Sequence, residues 1–213
     1  HAVMNYNLQD NGKRKFIMVQ LPEKTAENSE ARANGYDNIC EIGKERIKKA
    51  GDKILKDNPK TNIDVGFKVF KVADTNIKWN TLIEDGQLDL SQIENTPDLV
   101  DFMPNTKDVD IVYELMLRQK DVPLSSKVEK IFGGGYSRTY LYADSYLVCL
   151  ETKITEELID MLAKIDPLPI KFIFRDSAFQ DNIALKDETF RRLKALIEKN
   201  NGMKKMTYTV EFL

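Results

Sequence analysis

Hydrophobic positions along this chain switch repeatedly between helical and strand spacing, which predicts an α/β protein. Near the N-terminus Val3, Met4 and Leu8 lie on one side of a helix. Asp10-Asn11-Gly12 closes it, because Asn and Gly tolerate the left-handed backbone that ends helices. The helix is already under way at residue 1 without a cap, which predicts a fragment of something longer. The apolar run Phe16-Ile17-Met18-Val19 follows Lys13-Arg14-Lys15 and predicts a buried strand over 15–20. A polar loop over 22–35 leads to a helix capped by Asn38, with Glu41 at capping-box spacing. Ile39, Ile42, Ile47, Ala50 and Ile54 form its stripe, Gly43 allows close packing, and Asp57-Asn58-Pro59 ends it. Residues 64–72 alternate around Val65, Phe67 and Val69, predicting a second strand.

From 74 to 108 the pattern dissolves into an acidic connector with short helical turns around Trp79, Ile83-Glu84-Asp85-Gly86 and 97–104. Regularity then returns. Ile111, Val112, Leu115 and Leu117 predict a helix over 109–120, and 127–131 alternates as a short strand. Gly133-Gly134-Gly135 and Ala143-Asp144-Ser145 are turn sequences that predict a meander of strands over 138–142 and 146–150. Thr155 caps a helix carrying Leu158, Ile159, Leu162 and Ile165, and residues 170–174 form a strand. Asp187 is the expected cap of a helix with Phe190, Leu193 and Ile197, which Gly202 closes before a last strand over 206–212. The βαβαβ order from 146 to 212 implies parallel strands.

Composition narrows the chemistry. With 213 residues, 42% hydrophobic and 31% charged, the chain reads as a globular protein of one large or two small domains. No apolar run is long enough for a membrane span and no signal peptide is visible, so a cytoplasmic setting without membrane contact is expected. Cys40 and Cys149 are too few for a disulfide framework or a zinc site. The sole histidine is His1, which removes histidine-dependent hydrolases and histidine-ligated metals. Net charge is −2, and the cations gathered at 44–56 and 191–199 are interspersed with acids, as on solvated helix faces.

Four places could carry chemistry. The three glycines at 133–135 lie between strands with no helix to follow, so a hairpin turn is expected rather than a phosphate loop. Asp176 stands just past a parallel strand, where sites form, and the plain alternative is a surface pair with Arg175. Tyr136, Tyr140, Tyr142 and Tyr146 suit a base-stacking platform or, without a basic groove, half-buried strand aromatics or a protein interface. Gln20 and Glu23, at the carboxyl end of the strand over 15–20, offer an amide oxygen and a carboxylate to ligand hydroxyls.

The stretch Lys15-Phe16-Ile17-Met18-Val19-Gln20-Leu21-Pro22-Glu23 and the later Ile42-Gly43-Lys44-Glu45-Arg46-Ile47 resemble the methyltransferase subunit of type III restriction–modification systems. The resemblance continues through Gly66-Phe67-Lys68-Val69-Phe70-Lys71 and Phe172-Ile173-Phe174-Arg175-Asp176-Ser177-Ala178-Phe179. It implies a DNA adenine-N6 methyltransferase of the permuted kind, using S-adenosylmethionine. Neither the family's Gly-x-Gly-Thr-Thr loop nor its Asp-Pro-Pro-Tyr motif occurs in the chain, so no catalytic residue and no metal ligand is assigned. By the same resemblance, 16–20 is the second strand of the methyltransferase sheet, and its ribose-binding acid corresponds to Gln20, with Glu23 three residues on. Either could make the contact.

The expected fold is therefore α/β: a remnant of a Rossmann-like methyltransferase sheet over 1–80, a connector over 81–107, and a C-terminal α/β domain with a mixed sheet over 108–213. By resemblance that last part serves association with a second methyltransferase subunit or the restriction subunit. The partner implied for the whole enzyme is DNA, with the target adenine flipped from the duplex. The chain itself is expected to be inactive. The alternative is a free-standing protein-interaction or regulatory module, which would show a sealed core and no open sheet edge at 16–20.

Overall fold

The computed structural model describes residues 1–78, 98–180, 182–201 and 207–213. The expected turns around Trp79 and Ile83, the helix end at Gly202 and the strand start at Met206 lie outside the described residues. The chain divides into two compact units, His1–Phe70 and Lys71–Leu213.

The first unit is built on three helices, α1 (Ala2–Asp10), α2 (Glu30–Ala33) and α3 (Ile39–Asp57). α1 has no side-chain cap at His1, and Asn11 ends it in the left-handed region at φ 53°. Asn7, buried on α1, bonds both backbone groups of Arg14, the amide at 3.0 Å and the carbonyl at 2.9 Å, and so pins the departing chain to the helix. α3 starts as its sequence demands: the Asn38 side chain accepts from the Glu41 amide at 3.2 Å. Close approach occurs at Gly51 rather than at the expected Gly43. A Cβ on Gly51 would stand 3.0 Å from Val65 Cβ, whereas one on Gly43 would meet nothing within 4 Å.

Neither predicted strand of this unit forms. Residues 16–20 and 64–72 carry no ladder, and the unit's isolated bridge joins Lys24 to Asn38. Ile17 and Val19 are 92% and 93% exposed, and Phe67, Val69 and Phe70 are exposed too. The physical reason is that apolar alternation earns a strand only when a neighbouring strand accepts its backbone groups. No such neighbour is present among the described residues.

The second unit has three layers. Its sheet runs β1 (Val128–Lys130), β2 (Thr139–Tyr142), β3 (Tyr146–Cys149), β4 (Lys171–Phe174) and β5 (Thr209–Phe212), in that spatial order. β1, β2 and β3 are antiparallel neighbours, while β3, β4 and β5 are parallel, so the sheet is mixed as expected. One face packs on α6 (Glu156–Leu162), α7 (Ile183–Asn201) and a 3-10 turn at Asp176–Phe179, which meet Leu147, Cys149, Phe172 and Phe174. Both crossover helices share this face, as two crossovers of one hand require. The other face, with Tyr140, Tyr142, Tyr146, Val148 and Ile173, packs on α5 (Asp108–Gln119) through Ile111, Val112, Leu115 and Met116. Met116 takes the inward place expected of Leu117, which is exposed. Ile77 and Phe102 close this layer and form a bridge, with the short α4 (Asp98–Asp101) ending beside it.

Two capping expectations part ways. Thr155 caps α6, accepting from the Leu158 amide at 3.2 Å. α7 begins four residues before the expected cap: Asn182 accepts from the Leu185 amide at 3.0 Å, and Asp187 instead pairs with Arg191 within the helix at 2.6 Å.

Candidate functional site

Gln20 and Glu23 stand on the irregular segment between α1 and α2. Both are exposed. The Gln20 amide nitrogen donates to the Leu21 carbonyl at 3.3 Å. The Cys40 thiol, in the first turn of α3, donates to the Gln20 and Leu21 carbonyls at 3.6 and 3.5 Å, and the Ile39 amide to the Glu23 carbonyl at 3.0 Å. The backbone of 20–23 is thus tied to the N-terminal end of α3, which carries the positive end of the helix dipole. An amide oxygen and a carboxylate three residues apart are acceptors of the kind a diol calls for, and Ile17 and Leu21 in the same stretch are exposed.

The C-terminal unit gathers charge at the carboxyl ends of β3 and β4, where open α/β sheets place ligands. Arg175 follows β4 directly and is wholly buried, at 0% exposure. Its guanidinium donates to Asp98 at 2.6 Å, to Asp101 and to the Ser177 hydroxyl at 2.8 Å, and it lies 5.1 Å over the Phe102 ring. Arg138, just before β2, reaches Asp98 at 2.7 Å and Asp108 at 2.6 Å, and Asp108 also accepts from the Tyr140 hydroxyl at 3.2 Å. Buried Glu151 accepts from the Arg138 amide at 2.6 Å and the Thr139 hydroxyl at 3.2 Å. Partial burial opposes the charge of Asp98, yet the two guanidiniums outweigh it and hold its carboxyl below the ordinary range. The same carboxylates raise Arg138 despite its burial. Each guanidinium is matched by carboxylates of this chain, so the cluster ties α4 and α5 to the sheet and offers no open cation to an anionic ligand.

The other sequence candidates resolve individually. Asp176 pairs with Lys186, not with Arg175, because the 3-10 turn carries it outward while Arg175 points into the core. Tyr140, Tyr142 and Tyr146 are buried rather than displayed for stacking; the Tyr142 hydroxyl donates to the Pro123 carbonyl at 2.8 Å and that of Tyr146 to Asp121. Tyr136 lies on the opposite face, its hydroxyl 2.7 Å from that of Thr155. The glycine triplet is the expected turn between strands, with Gly134 at φ 64°. Burial pushes the Cys149 thiol up to about 12, so it is not a nucleophile. Among the described residues no group of three His, Cys, Asp or Glu could hold a metal ion, and no helix is long and apolar enough to cross a membrane. The sequence offers Arg175 only as a surface partner of Asp176 and not as a buried charge. Its signal was a charge placed without a break after Phe172-Ile173-Phe174.

No protein-family model matches the chain. Curated proteins do: the chain is similar to the Mod subunits of type III restriction-modification enzymes. It is 28% identical over 156 residues to the Mod subunit of the StyLTI enzyme of Salmonella typhimurium, covering 73% of this chain and 23% of that protein. To the Mod subunit of the EcoP15I enzyme of Escherichia coli it is 28% identical over 191 residues, covering 84% of this chain and 26% of that protein. The chain spans about a quarter of the length of these relatives.

Proposed function

We propose that this chain takes part in adenine-N6 methylation of DNA, as the cofactor-side and assembly portion of a type III modification methyltransferase. The observation that carries the reading is the kinship to two Mod subunits over most of the chain. The apolar run at 16–21 supports it, since Ile17, Val19 and Leu21 alternate as in a sheet strand and are exposed, with no strand paired to them among the described residues. Gln20 and Glu23 would accept from the ribose hydroxyls of S-adenosylmethionine, with Ile17 and Leu21 beside its adenine ring. The bound cofactor supplies a methyl group activated on sulfur. Residues 1–213 hold neither a Gly-x-Gly-Thr-Thr loop nor an Asp-Pro-Pro-Tyr motif, and we assign them no methyl transfer of their own. The second unit would join a further methyltransferase subunit or a restriction subunit.

Removing the codons for residues 1–213 from the chromosomal gene is expected to abolish N6-methyladenine at one sequence motif, read by single-molecule sequencing of genomic DNA. The paired change Gln20→Ala with Glu23→Ala should weaken cofactor binding about 10- to 100-fold, as lost hydrogen bonds to an acceptor pair would. Unchanged methylation at every motif after the deletion would overturn the reading. Methyl transfer to duplex DNA by purified residues 1–213 would overturn the assignment of no activity. The alternative, an interaction module without catalysis, is favoured by the C-terminal unit, where Arg138, Arg175 and the Tyr142 and Tyr146 hydroxyls are satisfied internally. The uncovered residues 17–21 speak against it.

A further inference from the structure

The sheet of the C-terminal unit ends differently on its two sides. β1 is three residues long, has Lys127 before it and Glu129 and Lys130 within it, and runs into the glycine turn. Short, charged edges of this kind resist further pairing. β5 carries no lysine or proline, and its backbone alternates in a telling way. The Thr209 and Leu213 amides donate to the Ile170 and Phe174 carbonyls, each at 2.9 Å, so the odd-numbered residues face β4. The amide and carbonyl groups of Tyr208, Val210 and Phe212 therefore point off the open side of the sheet, and no strand among the described residues meets them.

Beside this edge lies a groove between β5 and α7, with a volume of about 270 Å³, lined by Phe190, Leu193, Lys194, Tyr208, Val210 and Phe212. Its floor is aromatic: Phe190 and Phe212 meet edge to face at 5.2 Å. Neighbouring cations are engaged, Lys186 by Asp176 and Arg191 by Asp187. Lys194 is exposed, and no carboxylate among the described residues stands within ion-pair distance of it. Glu198, one turn along α7, acts on the Tyr208 hydroxyl instead.

We propose that β5 and this groove form a docking site for an extended segment of a partner protein, added to the sheet as a sixth strand. The backbone edge supplies hydrogen bonds, the groove takes apolar side chains at alternate positions, and Lys194 selects a carboxylate in the segment. Alternate residues of a strand project to one face, which matches a groove running along β5 on one side only. This goes beyond the methylation reading and does not depend on it, since peptide binding is measured without cofactor or DNA.

The test uses the chain of residues 1–213 and the acetylated, amidated peptide Thr-Val-Thr-Glu-Thr-Val, whose carboxylate lies on the same face as its valines, with Thr-Val-Thr-Lys-Thr-Val as its charge-reversed counterpart. Amide NMR shifts on titration to about 1 mM are expected at 208–212 and along the groove side of α7, stronger for the glutamate peptide. Val210→Pro removes one outward amide without touching the ladder to β4, and an edge position tolerates proline. It should weaken binding about tenfold, while the β4 amide shifts stay native. Lys194→Glu should reverse the preference between the two peptides. Absence of shifts at 208–212, or binding that Val210→Pro leaves unchanged, overturns the proposal. So does a dimer of the chain that Val210→Pro dissociates, because a second copy would then occupy the edge.

Discussion

Arg175→Met offers the sharpest check on how the C-terminal unit is held together. Methionine keeps the unbranched stem over Phe102 and deletes the guanidinium that serves Asp98, Asp101 and Ser177. Breaking a buried ion pair from one side costs about 3–5 kcal/mol, because the remaining charge stays desolvated and unpaired. The two aspartates share that cost unequally. Asp98 is 47% exposed and keeps Arg138 at 2.7 Å, so it loses little. Asp101 is 13% exposed and is left with the Ser177 hydroxyl, so nearly all the loss falls there. A destabilisation near the low end, about 3 kcal/mol, is expected. Urea unfolding followed by near-ultraviolet circular dichroism reads it, since Tyr140, Tyr142 and Tyr146 are buried in this unit. Arg175→Met combined with Asp101→Leu should recover most of the loss, as apolar replacement of both partners is often neutral. A single variant within about 1 kcal/mol of the parent, or a pair whose effects simply add, would refute the reasoning.

Two further outcomes follow from burial. Burial, then the Asp108 and Asp121 carboxylates, push the Tyr140 and Tyr146 hydroxyls up to about 12 from 10.0. The folded state therefore prefers the protonated phenols: the linked stability is complete below pH 10 and declines as pH rises from 10 towards 12. Phenolate absorbance should show both titrating late in the native protein and normally once it is unfolded; native ionisation with the exposed tyrosines would contradict this. Cys40 is partly exposed and Cys149 buried, so a disulfide reagent should modify one thiol quickly and the second only as the C-terminal unit opens. Cys40→Ser should remove the fast phase, and rapid labelling of Cys149 in the folded protein would count against the fold described.

Much of the architecture was present in local pattern. The Asn38 and Thr155 caps, the left-handed Asn11 and the turn at Ala143-Asp144-Ser145 depend on residues close in sequence, whose hydrogen bonds are made within a turn or two; the parallel βαβαβ tail was legible from the order of its elements, although its ladders join residues 25 and 38 apart. The apolar runs at 16–20 and 64–72 were equally plain as patterns, yet they form no strand here, because a strand is completed by a neighbour and not by its own alternation. Gly51 rather than Gly43, and Met116 rather than Leu117, were decided by what packs alongside: the Val65 side chain in one case and the inner face of the sheet in the other. The candidate residues divide in the same manner. Gln20 and Glu23 were expected at a strand end; no strand forms over 16–20, and their backbone is tied instead to the start of α3. Arg175 was read as the surface partner of Asp176 next to it in sequence. Its real partners, Asp98 and Asp101, lie more than seventy residues away. Hydrophobic spacing and turn chemistry thus mark the helices, caps and turns, since those are short-range preferences. Only the tertiary structure chooses ion-pair partners and inward faces, because a charge taken out of water must find its counter-ion wherever the fold brings one within reach.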